Sequence, residues 1–423
     1  MAKDQNTPTP QTAMRLSELD FTRATSEAAT VMGLLMGAGE VRKSPRDSGL
    51  AKTATSRQGR RPYHGLRPES ARPLAFAAML GCLNAGYCSV TVLSTYPKDN
   101  RGAPWLPEAT VLGLQADRPE WAQEIVAIPV DGVRDILWGH DSGAISAVGV
   151  GLPGALEIPK ELLEIGLPRC LLIGIGPSGD NNGNRLRDAL MPMVPTFRGQ
   201  TLFTVLQDLE LSRLLSSFVM RISSRVRRQI TVSTMEKDTP VCLRKLLHGP
   251  ARLRAFLGSS VAAGIATFFP EKHGIDAFVA VLGLTHTILL SIAARATGGQ
   301  LFAVPVLPVN PKLSRKKILD SVHAVSSGAR LYEAQDFVRG DDAFLVATGI
   351  TDSLDLPGLR FLGNGMIRSN SISLHVRNRS VRLIDHTCDI QSTPFHQFNF
   401  RTGQSNNINY NEVANIIERE LTS

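Results

Sequence analysis

Apolar and polar positions along this chain fall into two periods. Between 16 and 36 the apolar residues recur at helical spacing, at Phe21, Ala28, Val31, Met32, Leu35 and Met36, and Gly37 and Gly39 follow. This predicts a helix with one buried face. A second helix is predicted over 71–83. The runs 89–93, 126–133, 143–150, 169–177, 229–234, 252–257 and 277–282 are short and rich in apolar or β-branched residues, which predicts strands. Helices are predicted between them over 159–165, 201–226, 240–247, 261–268 and 287–296. Gly298 and Gly299 close the last of these. The alternation points to an α/β layered fold.

Further on, 329–338 predicts a short strand and a turn, and 344–348 a buried strand. Asn364 and Gly365 give a turn signal, and 371–382 alternates on either side of a turn at Asn378, as in a hairpin. A final helix is predicted from Asn411. No repeat of solenoid length is visible.

At 423 residues the chain is long enough for one large or two ordinary domains. With 43% hydrophobic and 20% charged residues, it has the composition of a soluble globular protein. Aromatics, at 6%, are too few to suggest a stacking platform for nucleic acid. The net charge of +8 favours anionic partners, or reflects an uneven surface. Cys82, Cys88, Cys170, Cys242 and Cys388 are odd in number and show no CxxC spacing. This speaks against a disulfide framework and for a reducing compartment. The first residues lack an apolar signal core. The longest charge-free run, 277–294, holds Thr285, His286 and Thr287 at its middle. Inserting these into a bilayer is costly, so the run reads as a buried strand, a polar turn and a helix N-terminus. A cytoplasmic protein without a membrane partner is expected.

The stretch 344–386 carries a resemblance. ATGITD, then LPGLRFLGNG and SLHVRNRSVRLID, resemble the signature of class II fructose-1,6-bisphosphatases, the GlpX type. LSELDFTRATSEAATVMGLLMGAGE resembles that family's first helix. Ser353 stands where the family has Gly. The resemblance implies the layered αβαβα sandwich of the sugar phosphatases, as in fructose-bisphosphatase and inositol monophosphatase. The expected layout is a disordered tail over 1–14, an N-terminal α+β domain over 15–155, a C-terminal α/β domain over 156–395, and a tail with a helix over 396–423. Within the first domain, 41–70 departs from the family. It holds eight Lys or Arg against two acids and reads as a basic insertion, either an anion clamp or a solvated loop.

The family's reaction needs divalent metals held by converging carboxylates. Here most are replaced. Arg72 takes the place of an Asp, Thr95 and Pro97 those of two glutamates, and Ile128 that of the first carboxylate of the core metal box. Asp131 survives from that box, and His286 replaces a further metal Glu. A guanidinium in such a site repels the ions it should hold. No metal ligand is therefore assigned and no cofactor is expected; magnesium or manganese would be needed only by an active phosphatase. Arg72, Gly132, Lys237, Ser259, Ser260 and Gly283 are the candidates for holding a phosphorylated sugar or another anion. Asp131 and His286 are a candidate acid–base pair, or, more plainly, a turn cap and a helix N-cap neighbour. His140 and Asp141 come without a nucleophile elbow.

Three readings follow. The first is a GlpX-like protein without metal-dependent phosphatase activity, serving as a structural, regulatory or assembly subunit, alone or with a bound sugar phosphate. The second is an enzyme of altered, metal-independent chemistry on a phosphorylated sugar. The third is a fructose-1,6-bisphosphatase. Self-association or membership of a larger assembly is expected in each.

Overall fold

The computed structural model describes residues 17–35, 75, 78–79, 81–83, 89–95, 111–112, 122–132, 143–160, 162, 169–177, 230–235, 251–256, 258–306, 331–363 and 366–389. The tails, the basic insertion 41–70, and the helices expected over 201–226, 240–247 and from Asn411 lie outside these residues, as do Arg72, His140, Asp141 and Lys237.

Helix α1 (Glu18–Leu35) is followed by helical backbone at 75, 78–79 and 81–83. Strands β1 (Ser89–Thr95), β2 (Val111–Leu112), β3 (Ala122–Asp131), β4 (Ile145–Gly151), β5 (Arg169–Ile175), β6 (Ile230–Met235) and β7 (Ala251–Phe256) come next. Then come α2 (Ser260–Thr267), α3 (Pro270–His273), β8 (Ala277–Gly283), α4 (Leu284–Thr297), β9 (Gln300–Val306), β10 (Tyr332–Glu333) and α5 (Ala334–Phe337). The last elements among the described residues are β11 (Ala343–Gly349), β12 (Arg360–Gly363), β13 (Met366–His375) and β14 (Ser380–Asp389).

The strands form two sheets. One has eight strands in the order β12-β13-β11-β4-β3-β1-β2, with β14 added along β13. The other has six, in the order β10-β9-β5-β8-β6-β7. Both are mixed: β1 runs parallel to β3, and β6 parallel to β7 and β8, while most other neighbours are antiparallel. The ladder between β4 and β11 joins strands from either side of the expected boundary at 155.

Alternation of side chains along each strand sorts the core into two layers. On the first sheet Ile125, Ala127, Val148, Val150 and Val346 face α1 and pack on Phe21, Ala24, Ala28 and Met32. Val126, Ile128, Ile145, Ala147, Leu345 and Ala347 face the other way. There they meet α2 and α4, whose far sides rest on Leu172, Phe278, Ala280 and Leu301 of the second sheet. Helix α4 is buried from Thr285 to Ala294 without a break, as expected of a helix between two sheets. The outward residues Leu171, Ile173, Val279 and Val281 of the second sheet are buried as well. This is the α-on-β, α-on-β layering of the sugar phosphatase sandwich.

Three local readings need correction. The polar residues Thr285, His286 and Thr287 are not a turn between strand and helix, because α4 already begins at Leu284. The Thr287 hydroxyl donates to the Gly283 carbonyl at 3.1 Å, so the polar group is satisfied within the first helical turn. The expected turn before 338 is instead the one-turn helix α5. It is held by a capping box in which the Glu333 amide donates to the Asp336 carboxylate at 2.8 Å. Strand β13 starts at Met366, five residues before the alternation becomes visible, because it pairs with β12 there as well. Strand β9 has no counterpart among the expected elements.

Candidate functional site

Five segments meet at one end of the first sheet: the end of β3, the start of β4, the entry to α2, the first turn of α4 and the loop after β11. Asp131, the last residue of β3, is buried. Its Oδ2 accepts the Ser259 hydroxyl at 2.8 Å, the Ser260 hydroxyl at 3.0 Å and the Val261 amide at 3.0 Å. Ser259 is the N-cap of α2, and its hydroxyl also accepts the Ala262 amide at 2.9 Å. The other oxygen, Oδ1, faces His286 Nε2 at 3.6 Å. His286 stands in the first turn of α4, three residues after the N-cap Gly283. The N-terminal turn of α2 and a side chain from the first turn of α4 therefore meet at one carboxylate.

This explains its acidity. Burial opposes the charge, but His286, the Val261 amide and the Ser259 hydroxyl outweigh it and hold the Asp131 carboxyl at about 2. The positive end of α2 favours the same outcome.

Gly132 makes the approach possible. Its φ is +93°, and a side chain there would come within 3.1 Å of Ala144 and of the Gly258 backbone. Gly143 has the same role in the neighbouring loop. Its φ is +74°, and a Cβ would lie 2.9 Å from that of Ser353. Ser353 is the residue that departs from the family's Gly. Its hydroxyl donates to the Leu356 carbonyl at 3.2 Å and accepts the Leu356 amide at 3.0 Å.

The loop after β11 is tied down at each polar residue. Thr351 accepts the Ala144 amide at 2.9 Å. Asp352 accepts the Gly358 amide at 2.8 Å and pairs with Arg360 at 2.6 Å. Asp355 takes Lys272 and His273 of α3 on one oxygen, each at 2.7 Å.

Of the residues singled out from the sequence, Asp131, Gly132, Ser259, Ser260, Gly283 and His286 come together here. Arg72 and Lys237 lie outside the described residues. Sequence reasoning misses the Val261 amide and the Lys272–His273–Asp355 contact. The first is within reach, since two serines ahead of an apolar helical pattern are an N-cap signal. The second joins residues more than eighty positions apart, and no local pattern announces it.

The described residues do not fit a divalent metal. Ile128 is wholly buried in the apolar layer between the sheets. Oδ2 of Asp131 is surrounded by hydrogen donors, which present their positive ends where a cation bound through that oxygen would stand. Among the described residues no three His, Cys, Asp or Glu side chains are grouped so as to share an ion. In addition, no helix among them is long and apolar enough to cross a membrane.

Comparison with known proteins points the same way as the signature. Residues 210–388 match the family model of the bacterial, glpX-encoded fructose-1,6-bisphosphatase. A class 2 D-fructose 1,6-bisphosphatase/sedoheptulose 1,7-bisphosphatase of Synechococcus sp. (strain JA-3-3Ab) is 23% identical over 165 residues, covering 37% of this chain and 47% of the relative. A similarly named protein of Acaryochloris marina (strain MBIC 11017) is 24% identical over 151 residues, covering 34% of this chain and 43% of the relative. The chain thus spans just under half the length of the curated relatives it matches. Asp131 lies before the matched region; Ser259, Ser260, Gly283, His286 and the 344–386 signature lie within it. Over residues 210–388 the chain is thus similar to the GlpX-type fructose-1,6-bisphosphatase family, at low identity.

Proposed function

We propose that this protein keeps the GlpX-type scaffold without metal-dependent phosphatase activity, and serves as a structural, regulatory or assembly subunit in the cytoplasm. One observation carries the reading. The acidic residue that survives from the metal box, Asp131, has its Oδ2 filled by two hydroxyls and an amide, and its box partner Ile128 lies in the apolar core. A carboxylate holding three hydrogen donors on one oxygen is a poor cation ligand, because each donor must be displaced first. Arg72, Lys237 and the open N-terminus of α4 at Gly283 remain the candidates for meeting a phosphorylated sugar or another anion. Among the described residues, chain neighbours aside, nothing lies within 4 Å of where a Gly283 side chain would start.

The approach of His286 to Asp131 at 3.6 Å favours a second reading, metal-independent chemistry on a phosphorylated sugar with these two as acid and base. Incubation with fructose 1,6-bisphosphate or sedoheptulose 1,7-bisphosphate, the sugars in its relatives' names, separates these cases. We expect no phosphate release with or without manganese. Release that requires manganese would establish a working phosphatase. Release without metal that disappears in His286→Gln would establish the second reading. Light scattering of the purified protein tests self-association, and we expect more than one copy per particle.

A further inference from the structure

We propose that Asp131 is the resident anion of this end of the sandwich, closing the N-terminus of α2 to divalent cations and to phosphate alike. This rests on the reading of lost metal catalysis and says how the former site is closed. The resemblance implies a cation ligand at this position, and the geometry around it implies the opposite partner. The atoms that reach Oδ2 are hydrogen donors: Ser259 Oγ, Ser260 Oγ and Val261 N. Helix N-termini carry partial positive charge, and that of α2 ends on this oxygen. That environment repels a metal ion. It would welcome an anionic oxygen, but one is already present, covalently bound to β3 and buried. A phosphate approaching the Val261 amide would have to displace a carboxylate held by three hydrogen bonds, and would meet its negative charge on the way.

Asp131 also ties the first sheet to both central helices, so it positions them as well as neutralising them. Gly132, whose φ is +93° and where a Cβ would stand 3.1 Å from the Gly258 backbone, lets the strand end come this close.

The test uses the full chain with two probes, inorganic phosphate and manganese. Thermal melting is compared in phosphate and in chloride at equal ionic strength. The wild type is expected to melt at the same temperature in both. Asp131→Ala is expected to melt about 2 °C or more higher in phosphate, as a newly vacated anion seat predicts, and adding Ser260→Ala is expected to shrink that gain. Equal responses of wild type and Asp131→Ala overturn the proposal. Where Asp131→Ala fails to fold in chloride, recovery of its fold by phosphate supports the proposal. Where it folds in neither, wild-type crystals soaked in phosphate decide: phosphate on the Val261 amide overturns it, and a carboxylate still seated there upholds it. Manganese is followed by its electron spin resonance signal. Saturable binding to wild type that is lost in Asp131→Asn also overturns it. Sugar-phosphate turnover would instead sink the proposed function, so the two failures are distinct.

Discussion

Thr25 and Thr348 share a hydrogen bond of 2.7 Å, hydroxyl to hydroxyl, between α1 and β11. Both are buried, and Thr348 is also 2.7 Å from the Ser371 hydroxyl on β13. A polar chain therefore runs from α1 through β11 to β13 within the core. Thr348→Val should cost about 1–2 kcal/mol, because the Ser371 hydroxyl loses a partner inside the core. Thr25→Val/Thr348→Val should cost less than the sum of the single changes. Urea denaturation of the four proteins measures this, and strict additivity would contradict it.

Glu27, on the same helix, is only 4% exposed. Burial pushes its carboxyl up to about 7, against the pull of Arg23 and of the Cys82 thiol. A raised acid binds its proton more tightly folded than unfolded. Its contribution is then full below the ordinary value near 4.5 and is lost as pH rises through about 7. Glu27→Gln should therefore gain stability relative to wild type between pH 5 and pH 8. Melting curves across that range test it, and a constant difference would count against the assignment.

Asp131 has the opposite sign. Its carboxyl is lowered from 3.8 to about 2, so its contribution is present above the ordinary value and is lost as pH falls from about 4 through about 2. Asp131→Asn should remove that portion of the acid limb. It should also destabilise the protein at pH 7 by roughly 2–3 kcal/mol, since charge-assisted bonds become neutral ones. Acid titration followed by circular dichroism shows whether the limb flattens.

Gly143→Ala should cost about 1–3 kcal/mol, from a left-handed backbone and from the 2.9 Å contact with Ser353. Ser353→Gly in the same chain should recover the steric share and leave the backbone share. No recovery, measured by thermal unfolding, would mean that the contact carries no strain.

Much of the layering can be read from residue pattern. The helical period of Phe21, Ala28 and Met32 and the apolar runs of β3, β4, β5 and β8 are local signals, and the core uses them as local signals suggest. The hairpin about Asn378 is legible for the same reason. What is not legible depends on distant partners. Strand β9 follows a helix cap directly, and its pairing with β5, on the other side of α4, makes it a strand. At the site, the sequence names Asp131, Ser259, Ser260 and His286 but not how they are joined. As candidates for holding a phosphorylated sugar, Ser259 and Ser260 invite an external ligand, whereas their hydroxyls turn inward to a residue 128 and 129 positions away. The direction of a hydroxyl rotor is set by whatever surrounds it, and sequence alone does not carry that information.

The β4–β11 ladder has a consequence for anyone who would cut this chain. Its partners are roughly two hundred positions apart, so β11 must find a strand made long before it, a slow, non-local step in folding. The region that matches the family model begins only at 210. Expressed alone it would lack β4 and β5, leaving one flank of β11 and one of β8 bare, with backbone groups ready to pair with any neighbouring chain. The segment that similarity marks out is thus not a segment that can stand by itself.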